Sequence, residues 1–239
     1  MTIKSSDVVF RYGNNEVLSG LTFSVPEGEV TYLAGENGSG KTTWILNAVN
    51  LLRLKDGKIL YDGKSFDEVR TRISVSFDTT PLYPYLSVEE NLKVLFHIDA
   101  EDTENHNFLN RMCLTDALLR TRAKKLSYGQ KHRIGIGGAL LRDADSYILD
   151  EPDLGLDPVA WEVVKDRIEN LKNKGKAVLI TGQNYPMLQE FVTRIVVLKE
   201  GKAIYEGSCA DFLGKFGPNE GSLRKAFEIS IGKERTHVE

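Results

Sequence analysis

A glycine-rich run, GENGSGKTT, occupies residues 35–43 directly after the apolar segment EVTYLA. It matches a phosphate-binding pattern in which two spaced glycines precede Lys41 and Thr42. Glycines let backbone N–H groups turn toward phosphate oxygens, and the N-terminus of a following helix adds favourable partial charge. Lys41 can reach the terminal phosphates, and Thr42 can offer a hydroxyl to Mg²⁺. The predicted nucleotide-binding residues of this run are Gly35, Asn37, Gly38, Ser39, Gly40, Lys41, Thr42 and Thr43.

Two acids, Asp150 and Glu151, follow the apolar segment SYIL. Because the carboxyl ends of parallel strands meet at one edge of a sheet, we expect the pair to lie beside the phosphate-binding run. Asp150 is the candidate Mg²⁺ carboxylate, acting through coordinated water. Glu151 is one step further along the pleat and should face the other way, as a candidate base for an attacking water. The simpler alternative is that both acids cap the next segment.

The elements that must position these residues alternate along the chain. The first third is strand-like, with glycine and proline between the strands, and a helix is predicted over residues 41–52. Residues 87–120 have mostly helical spacing, with the polar segment DAEDTENHN as an interruption. From Lys131 onward helices and strands alternate, and the last two strands form a hairpin around Gly201. This pattern predicts an α/β fold with a mostly parallel sheet and an inserted helical subdomain.

Composition limits the classes of function. The chain has 239 residues, 41% of them hydrophobic, with a net charge of −3. That charge gives no general attraction for nucleic acid or anionic lipid, and nucleic acid is not an expected partner. Two cysteines, Cys113 and Cys209, give no disulfide framework and are expected to be buried. No signal peptide is visible, and no apolar run approaches the ~20 residues that span a bilayer, so any work at a membrane would require a partner.

A longer segment, LSYGQKHRIGIGGALLRDADSYILDEPDLGLDP, resembles the ATP-binding subunits of ABC transporters. Its first five residues are similar to the LSGGQ signature of that family, and Leu156 and Asp157 match the loop that follows the acids. Tyr12 matches the aromatic residue that stacks on adenine in the family. The segment PLYPYLSVEENL resembles the opening of the family's helical subdomain. The resemblance covers nearly the whole chain, in order.

The resemblance implies an ABC ATPase fold of the P-loop NTPase class, with an N-terminal antiparallel β subdomain. It implies one domain over residues 1–239, with the helical subdomain at about 80–128. The implied ligands are ATP and Mg²⁺. The implied partner is a membrane-spanning transporter subunit, docked around residues 78–86, that holds this chain at the cytoplasmic face of the membrane.

A second implied partner is another ABC ATPase subunit, in a homodimer or a heterodimer. In the family, two subunits enclose two ATP molecules head to tail, and the signature of one subunit binds the γ-phosphate held by the other. A helix N-terminus suits such an anion, although the same residues could simply be a serine-capped helix start. The signature residues expected to contact the partner's ATP are Ser127, Tyr128, Gly129 and Gln130.

The chain departs from the family pattern at two positions near the γ-phosphate. Family members usually carry His directly after LIT, where this chain has Gly182. The family's Gln after an earlier strand is replaced by Asp78, which when ionised accepts hydrogen bonds but cannot donate them; the alternative there is a shifted alignment. Gln183 lies one position after Gly182, so its side chain is expected on the opposite face of the chain. It could replace the histidine only if its loop rotates. His132 is expected at the surface of the helix that follows the signature.

These features predict an ATPase subunit of an ABC transporter that hydrolyses ATP slowly at its own loop and whose signature completes a partner's site. The sensor side chains are missing while the signature and the acids are kept, which favours a heterodimer. The motifs, taken as a set, favour an exporter. Two alternatives stay open. One is a soluble ABC ATPase that acts on nucleic acid or ribosomes, and the other is a weakly hydrolysing nucleotide-binding module that regulates a complex.

Overall fold

Two β-sheets form the framework of the protein. The computed structural model describes residues 1–217 and 221–233. In this part of the chain a three-stranded sheet has the order β2-β1-β4, and a six-stranded sheet has the order β5-β6-β7-β3-β8-β9. The strands are β1 Ile3–Tyr12, β2 Asn15–Val25, β3 Val30–Gly35, β4 Asp56–Tyr61, β5 Ile73–Ser76, β6 Ser146–Leu149, β7 Ala177–Ile180, β8 Arg194–Lys199 and β9 Lys202–Ser208.

The six-stranded sheet is parallel except for β9, which returns antiparallel to β8. Every residue of β3, β6 and β7 is buried, as expected for strands covered on both faces. The register pairs Ser76 of β5 with Leu149 of β6, and Leu149 with Ile180 of β7. The segments that leave these strands therefore begin side by side at one edge of the sheet. The smaller sheet is antiparallel, which confirms the predicted fold class.

Helices cover the larger sheet and fill the insertion between β5 and β6. Within the described residues, 3₁₀ turns occupy Arg70–Arg72 and Ala123–Lys125, and a π-helical turn occupies Leu92–Phe96. None of the helices described is both long and apolar enough to cross a membrane. The α-helices are α1 Lys41–Ala48, α2 Phe66–Val69, α3 Val88–Asn91, α4 Thr103–Arg111, α5 Asp116–Leu119, α6 Tyr128–Leu141, α7 Pro158–Asn173, α8 Tyr185–Gln189, α9 Cys209–Phe216 and α10 Leu223–Ser230.

Two hydrophobic cores lie on opposite faces of the six-stranded sheet. One packs the sheet against the inserted helices and α6–α10. The other packs it against α1 and the antiparallel sheet, where Trp44 is fully buried and donates its indole N–H to Ser5 Oγ at 3.2 Å. Helix α1 is thus fixed from one side by an apolar core while its N-terminus faces the sheet edge. The boundaries of the helical subdomain stay a prediction; α3, α4 and α5 lie inside them.

Several local expectations were wrong. Helix α1 ends at Ala48 because the chain turns into the left-handed region at Asn50, with φ 55°. Helix α4 begins inside the predicted polar interruption, since Asp102 accepts hydrogen bonds from the N–H groups of Glu104 and Asn105 as its N-cap. Of the two cysteines, Cys209 is buried as predicted but Cys113 is exposed.

Candidate functional site

The phosphate loop, residues 35–43, leaves the buried end of β3 and enters α1. Residues 36–38 are exposed, so the tip of the loop is open to a ligand. Gly40 has φ 110°, and a Cβ there would lie 2.8 Å from Leu18 Cδ2 and 3.2 Å from the carbonyl oxygen of Val17. A Cβ on Gly35 would lie 2.9 Å from the carbonyl oxygen of Leu198. The loop conformation therefore requires glycine at both ends of its turn.

Lys41 is folded back onto the loop. Its ammonium donates to the carbonyl oxygens of Gly35 at 2.7 Å and Glu36 at 3.0 Å, and the residue is only 7% exposed. Burial lowers the pKa of Lys41, while the nearby carboxylates of Glu151 and Asp150 oppose that shift. The cation is thus held inside the loop, next to the exposed tip, where a phosphate group could compete for it.

Polar side chains of the loop have spare hydrogen-bonding capacity. Ser39 Oγ is buried and has no hydrogen-bond partner among the described residues. Asn37 Oδ1 accepts a long hydrogen bond, 3.4 Å, from Nε2 of Gln183. Thr43 is half-buried on α1, and its carbonyl accepts from the Asn47 side chain at 2.7 Å. An unsatisfied buried hydroxyl beside an open loop is the arrangement expected where a polar ligand completes the hydrogen bonds.

Thr42 and Asp150 supply oxygen atoms suited to a hard cation. The Thr42 hydroxyl donates to Asp150 Oδ2 at 3.4 Å, and Asp150 Oδ1 accepts from Thr181 Oγ1 at 2.5 Å. Asp150 is 2% exposed, and this burial raises its pKa. Within the described ranges no group of three or more His, Cys, Asp or Glu side chains could hold a metal ion by itself. Mg²⁺ fits the pair if phosphate or water oxygens complete its coordination.

Glu151 lies directly after Asp150 but outside the strand. Its φ is 50°, and its N–H donates to Thr181 Oγ1 at 3.0 Å. The alternation of a strand therefore does not set its direction, in contrast to the prediction; a left-handed backbone turn does. Burial, followed by repulsion from Asp150 and Asp78, raises the pKa of Glu151. A carboxylate with a raised pKa, held beside the predicted metal oxygens, has the properties of a general base.

The position of the family's histidine is occupied by backbone alone. The carbonyl of Gly182 accepts a hydrogen bond from the buried Tyr32 hydroxyl at 2.8 Å. A Cβ on Gly182 would lie 3.1 Å from Asp153 Oδ1 and 3.1 Å from Leu188 Cδ1. Asp153 Oδ1 is buried without a partner in the described part of the chain, and burial raises the pKa of Asp153. The Asp153 carboxyl group thus borders the space that a side chain at 182 would enter.

The predicted signature residues form the capped start of α6, at Tyr128 rather than at Lys131. Ser127 Oγ accepts from the Gln130 N–H at 3.2 Å, while the Gln130 side chain accepts from the Ser127 N–H at 2.9 Å. A Cβ on Gly129 would meet nothing within 4 Å, so this turn is open. The side chain of Tyr128 is 52% exposed, and its hydroxyl donates to the carboxylate of Asp78.

His132 is not at the surface, which corrects the prediction. It is 1% exposed, and its ring lies between two backbone carbonyls: Nδ1 is 3.0 Å from the oxygen of Asp78, and Nε2 is 2.9 Å from the oxygen of Glu151. The side chain points inward because the start of α6 packs against the segments that leave β5 and β6. Sequence spacing alone gave no signal for these contacts.

Tyr12 is the last residue of β1, directly before the turn of the β1–β2 hairpin, and pairs with Asn15. Its ring is 50% exposed and meets Phe10 edge-on, with centroids 4.9 Å apart. The same hairpin supplies Val17 and Leu18, which contact the phosphate loop at Gly40. An exposed aromatic face on this hairpin is available to a nucleobase, and its role in adenine binding stays a prediction.

Comparison with known proteins agrees with this geometry. A family model described as ABC transporter matches residues 18–154, more than half of the chain. The Nod factor export ATP-binding protein I of Burkholderia orbicola (strain AU 1054) is 32% identical over 245 aligned positions, covering 95% of this chain and 80% of the relative. The lantibiotic transport ATP-binding protein SrtF of Streptococcus pyogenes is 29% identical over 206 positions, covering 85% of this chain and 90% of the relative.

A solved structure of the ATP-binding subunit of an ABC transporter superposes with a TM-score of 0.85 at 26% identity, covering 97% of this chain and 100% of that one. The match is thus of whole cassettes and includes both sheets and the inserted helices. Together with the family match over more than half of the sequence, it shows that this chain belongs to the ABC transporter family of ATP-binding proteins and has the fold of their ATPase cassettes.

Proposed function

We propose that this chain binds MgATP at its own phosphate loop, hydrolyses it slowly, and works as one ATPase subunit of an ABC exporter beside a more active ATPase subunit. One observation carries the proposal. The phosphate loop, Lys41 and the two acids are assembled at one sheet edge, but at Gly182 no side chain reaches the site and the neighbouring space is bordered by Asp153.

Binding would use the exposed loop tip and the first turn of α1. Backbone N–H groups and the Lys41 ammonium would hold the phosphates, and Tyr12 would face the adenine. Ser39 Oγ, unpartnered among the described residues, would gain a hydrogen-bond partner. Thr42 and Asp150 would hold Mg²⁺, which, when bound, neutralises charge on the phosphates.

Hydrolysis would use Glu151 as the base that orients and deprotonates the attacking water. Its raised pKa favours proton acceptance near neutral pH. A preorganised donor to developing charge commonly contributes a factor of ~10²–10³, which this chain lacks at Gly182. The Gln183 amide, whose Nε2 lies 3.4 Å from Asn37 Oδ1 of the phosphate loop, would be a substitute donor. The expected result is a slow ATPase rather than an inactive one.

The signature would serve a second subunit. Helix α6 begins with an open, Ser127-capped turn, and a helix N-terminus attracts anions. Its signature residues would bind the γ-phosphate held by the partner, in a pseudo-two-fold arrangement. Since the signature and the acids are kept while the sensor is absent, a heterodimer with a better-equipped subunit accounts for the asymmetry better than a homodimer does.

Export is supported by the relatives, one of which is a Nod factor export protein and another a lantibiotic transport protein. The chain would act as a single domain, residues 1–239, at the cytoplasmic face of the membrane. A separate membrane-spanning subunit would anchor it there and carry the cargo contacts.

Titration calorimetry and ATPase assays test the proposal. Wild-type protein should take up MgATP, and Lys41→Ala should bind it about 100-fold or more weakly. Turnover should be low for the chain alone and rise when the candidate partner subunit is added. Absence of MgATP uptake would contradict the site, and fast Glu151-dependent hydrolysis by the lone chain would contradict the pairing. Slow hydrolysis even with a competent partner would favour a regulatory nucleotide-binding module instead.

A further inference from the structure

Three segments that are distant in sequence meet beside the predicted metal oxygens. They are the loop after β5, the N-terminus of α6 and the turn after β6. Asp78 belongs to the first segment, Tyr128 and His132 to the second, and Glu151 to the third. By resemblance, the first and third segments serve this chain's own nucleotide, whereas the second serves the nucleotide of the partner. Contacts among them therefore connect two different sites.

The hydrogen bond between Tyr128 and Asp78 joins the signature to the loop after β5. The Tyr128 hydroxyl donates to Asp78 Oδ1 and lies 3.4 Å from the Asp78 carbonyl oxygen. A phenol keeps its proton at neutral pH, and the bond to Asp78 raises the pKa of Tyr128 further. The two residues replace a Gly and a Gln of the family pattern. Two departures from that pattern are thus partners of each other.

His132 joins the same loop to Glu151. Its two ring nitrogens face the carbonyl oxygens of Asp78 and Glu151 at 3.0 and 2.9 Å. Both partners are acceptors, so a neutral ring donates to one of them and a protonated ring to both. Because His132 is 1% exposed, water cannot replace either contact. The ring therefore fixes the spacing between the two loops.

Close packing reinforces these hydrogen bonds. A Cβ on Gly135 would lie 1.8 Å from Thr80 Oγ1, so the Thr80 side chain rests directly on the backbone of α6. Only glycine allows this approach. The loop containing Asp78 and Thr80 is held against the first two turns of α6 and must move together with them.

Charge connects this loop to the nucleotide site. Burial is the main cause that raises the pKa of Asp150 and of Glu151, and the nearby Asp78 carboxylate adds to the increase at both groups. The backbone joins the same segments, since the Asp150 N–H donates to the carbonyl oxygen of Ser76 at 2.9 Å, two positions before Asp78. A cation or phosphate near Asp150 would change the electrostatic field at Asp78 as well. The Asp78 carboxylate also accepts the hydrogen bond from the Tyr128 hydroxyl. A change in the position of this carboxylate therefore affects the signature turn that contains Tyr128.

We infer that Tyr128 and His132 are positioning residues that link the phosphate site of this chain to its own signature, so that nucleotide bound at one site alters the turn presented to a partner's site. The inference rests on the proposed nucleotide binding and adds a connection between the two sites within one subunit. Neither residue needs to touch this chain's own nucleotide.

Hydrogen exchange with MgADP tests the link on the full chain. ADP lacks the γ-phosphate that would bring two subunits together, so the response reports on one subunit. In the wild type, MgADP should slow exchange both in residues 35–43 and in residues 126–133. In Tyr128→Phe, protection of the phosphate loop should remain, and the response of residues 126–133 should fall about threefold or more.

Two further variants make the test specific. Tyr205→Phe is the matched control, because Tyr205 lies on β9, at the sheet edge opposite to β5, and packs through its ring on Phe212 and Phe216; its responses should equal those of the wild type. His132→Ala should reduce the response of residues 126–133, and His132→Gln, which keeps an N–H donor, should restore part of it. An undiminished response in Tyr128→Phe and His132→Ala, or a wild type whose phosphate loop alone responds, would overturn the link. A wild-type phosphate loop that shows no response to MgADP would instead overturn the proposed nucleotide binding.

Discussion

Two regions at the same end of the sheet differ in composition. One is the phosphate loop, and we call the other the sensing edge. We define the sensing edge as Asp78, Tyr128, Asp153 and Gly182. The loop is made mainly of backbone, and Gly40 and Gly35 are required by contacts with β2 and β8 respectively. The sensing edge is made of residues from four separate segments, and three of them contribute side chains. Backbone-made features depend on the whole fold, whereas a side chain at the edge can be replaced without moving a strand. This difference is consistent with the proposal that the chain keeps its nucleotide loop and lacks a sensor side chain at position 182.

The largest effect is expected inside the loop. Lys41→Ala removes a buried cation that can make charge-assisted hydrogen bonds to phosphate, each worth about 1.5–3 kcal/mol. We expect MgATP affinity to fall about 100-fold or more, measured by titration calorimetry. Lys58→Ala, at an exposed position of β4, is the control and should bind as the wild type does. Similar affinities in both variants would mean that the loop does not bind phosphate.

Glu151→Gln separates binding from chemistry. The amide keeps the shape of the side chain but cannot accept a proton from water, and general base catalysis typically contributes 10²–10⁴-fold. We expect steady-state hydrolysis to fall about 100-fold or more while MgATP affinity changes less than about threefold. Equal loss of both would show that Glu151 holds the nucleotide rather than activates water.

Gly182→His tests the sensing edge directly. The backbone at 182 does not adopt a positive φ, and the new Cβ would press on Asp153 and Leu188, both at 3.1 Å, so the neighbours must move by a few tenths of an ångström. We expect ATP hydrolysis by the lone chain to rise about tenfold, less than the ~10²–10³ available to an ideally placed donor.

Gly182→Ala is the matched control for that variant. It introduces the same Cβ without a hydrogen-bond donor, so its hydrolysis rate should stay at the wild-type level or below it. If the alanine and histidine variants hydrolyse ATP at the same rate, the missing donor is not what limits turnover. If only the histidine variant hydrolyses ATP faster than the wild type, the missing donor at position 182 limits turnover, which supports the difference between the phosphate loop and the sensing edge.

The smallest effect concerns the stability of the nucleotide-free protein. Asp153→Asn replaces a carboxyl group whose pKa is raised by burial and whose Oδ1 has no partner in the described residues. An acid with a raised folded-state pKa contributes stability below its unfolded pKa and loses it as pH rises through the folded pKa. At neutral pH the variant should therefore be more stable, by about 1 kcal/mol, or 2–4 °C in Tm.

Thermal melts at two pH values check the sign. The difference in Tm between Asp153→Asn and the wild type should shrink as the pH is lowered toward the acidic range, where the wild-type carboxyl group is protonated. A difference that is constant with pH would indicate a packing effect instead of a charge effect.

Sequence reasoning located the contiguous parts of the site well. The phosphate loop, the paired acids and the capped start of α6 each occupy one short segment, and each lies at the end of an element as expected. The predicted reason for the direction of the Glu151 side chain, the alternation of a strand, was wrong, because Glu151 lies after the end of β6 and has a φ of 50°. Asp153 was missed, although it follows the acids by two positions, because nothing local indicates that its carboxyl group lies beside Gly182.

The sequence by itself determined the family, the order of strands and helices, and the backbone of the phosphate loop. Glycine-rich turns, helix caps and buried strands can be recognised from short segments, although the contacts that require Gly40 and Gly35 come from β2 and β8. Only the tertiary structure decided that Tyr128 meets Asp78, 50 positions away, and that His132 bridges two carbonyls from different loops. Those contacts arise where parallel strands end at a common edge, and the spacing of residues along a chain does not encode which side chains meet there.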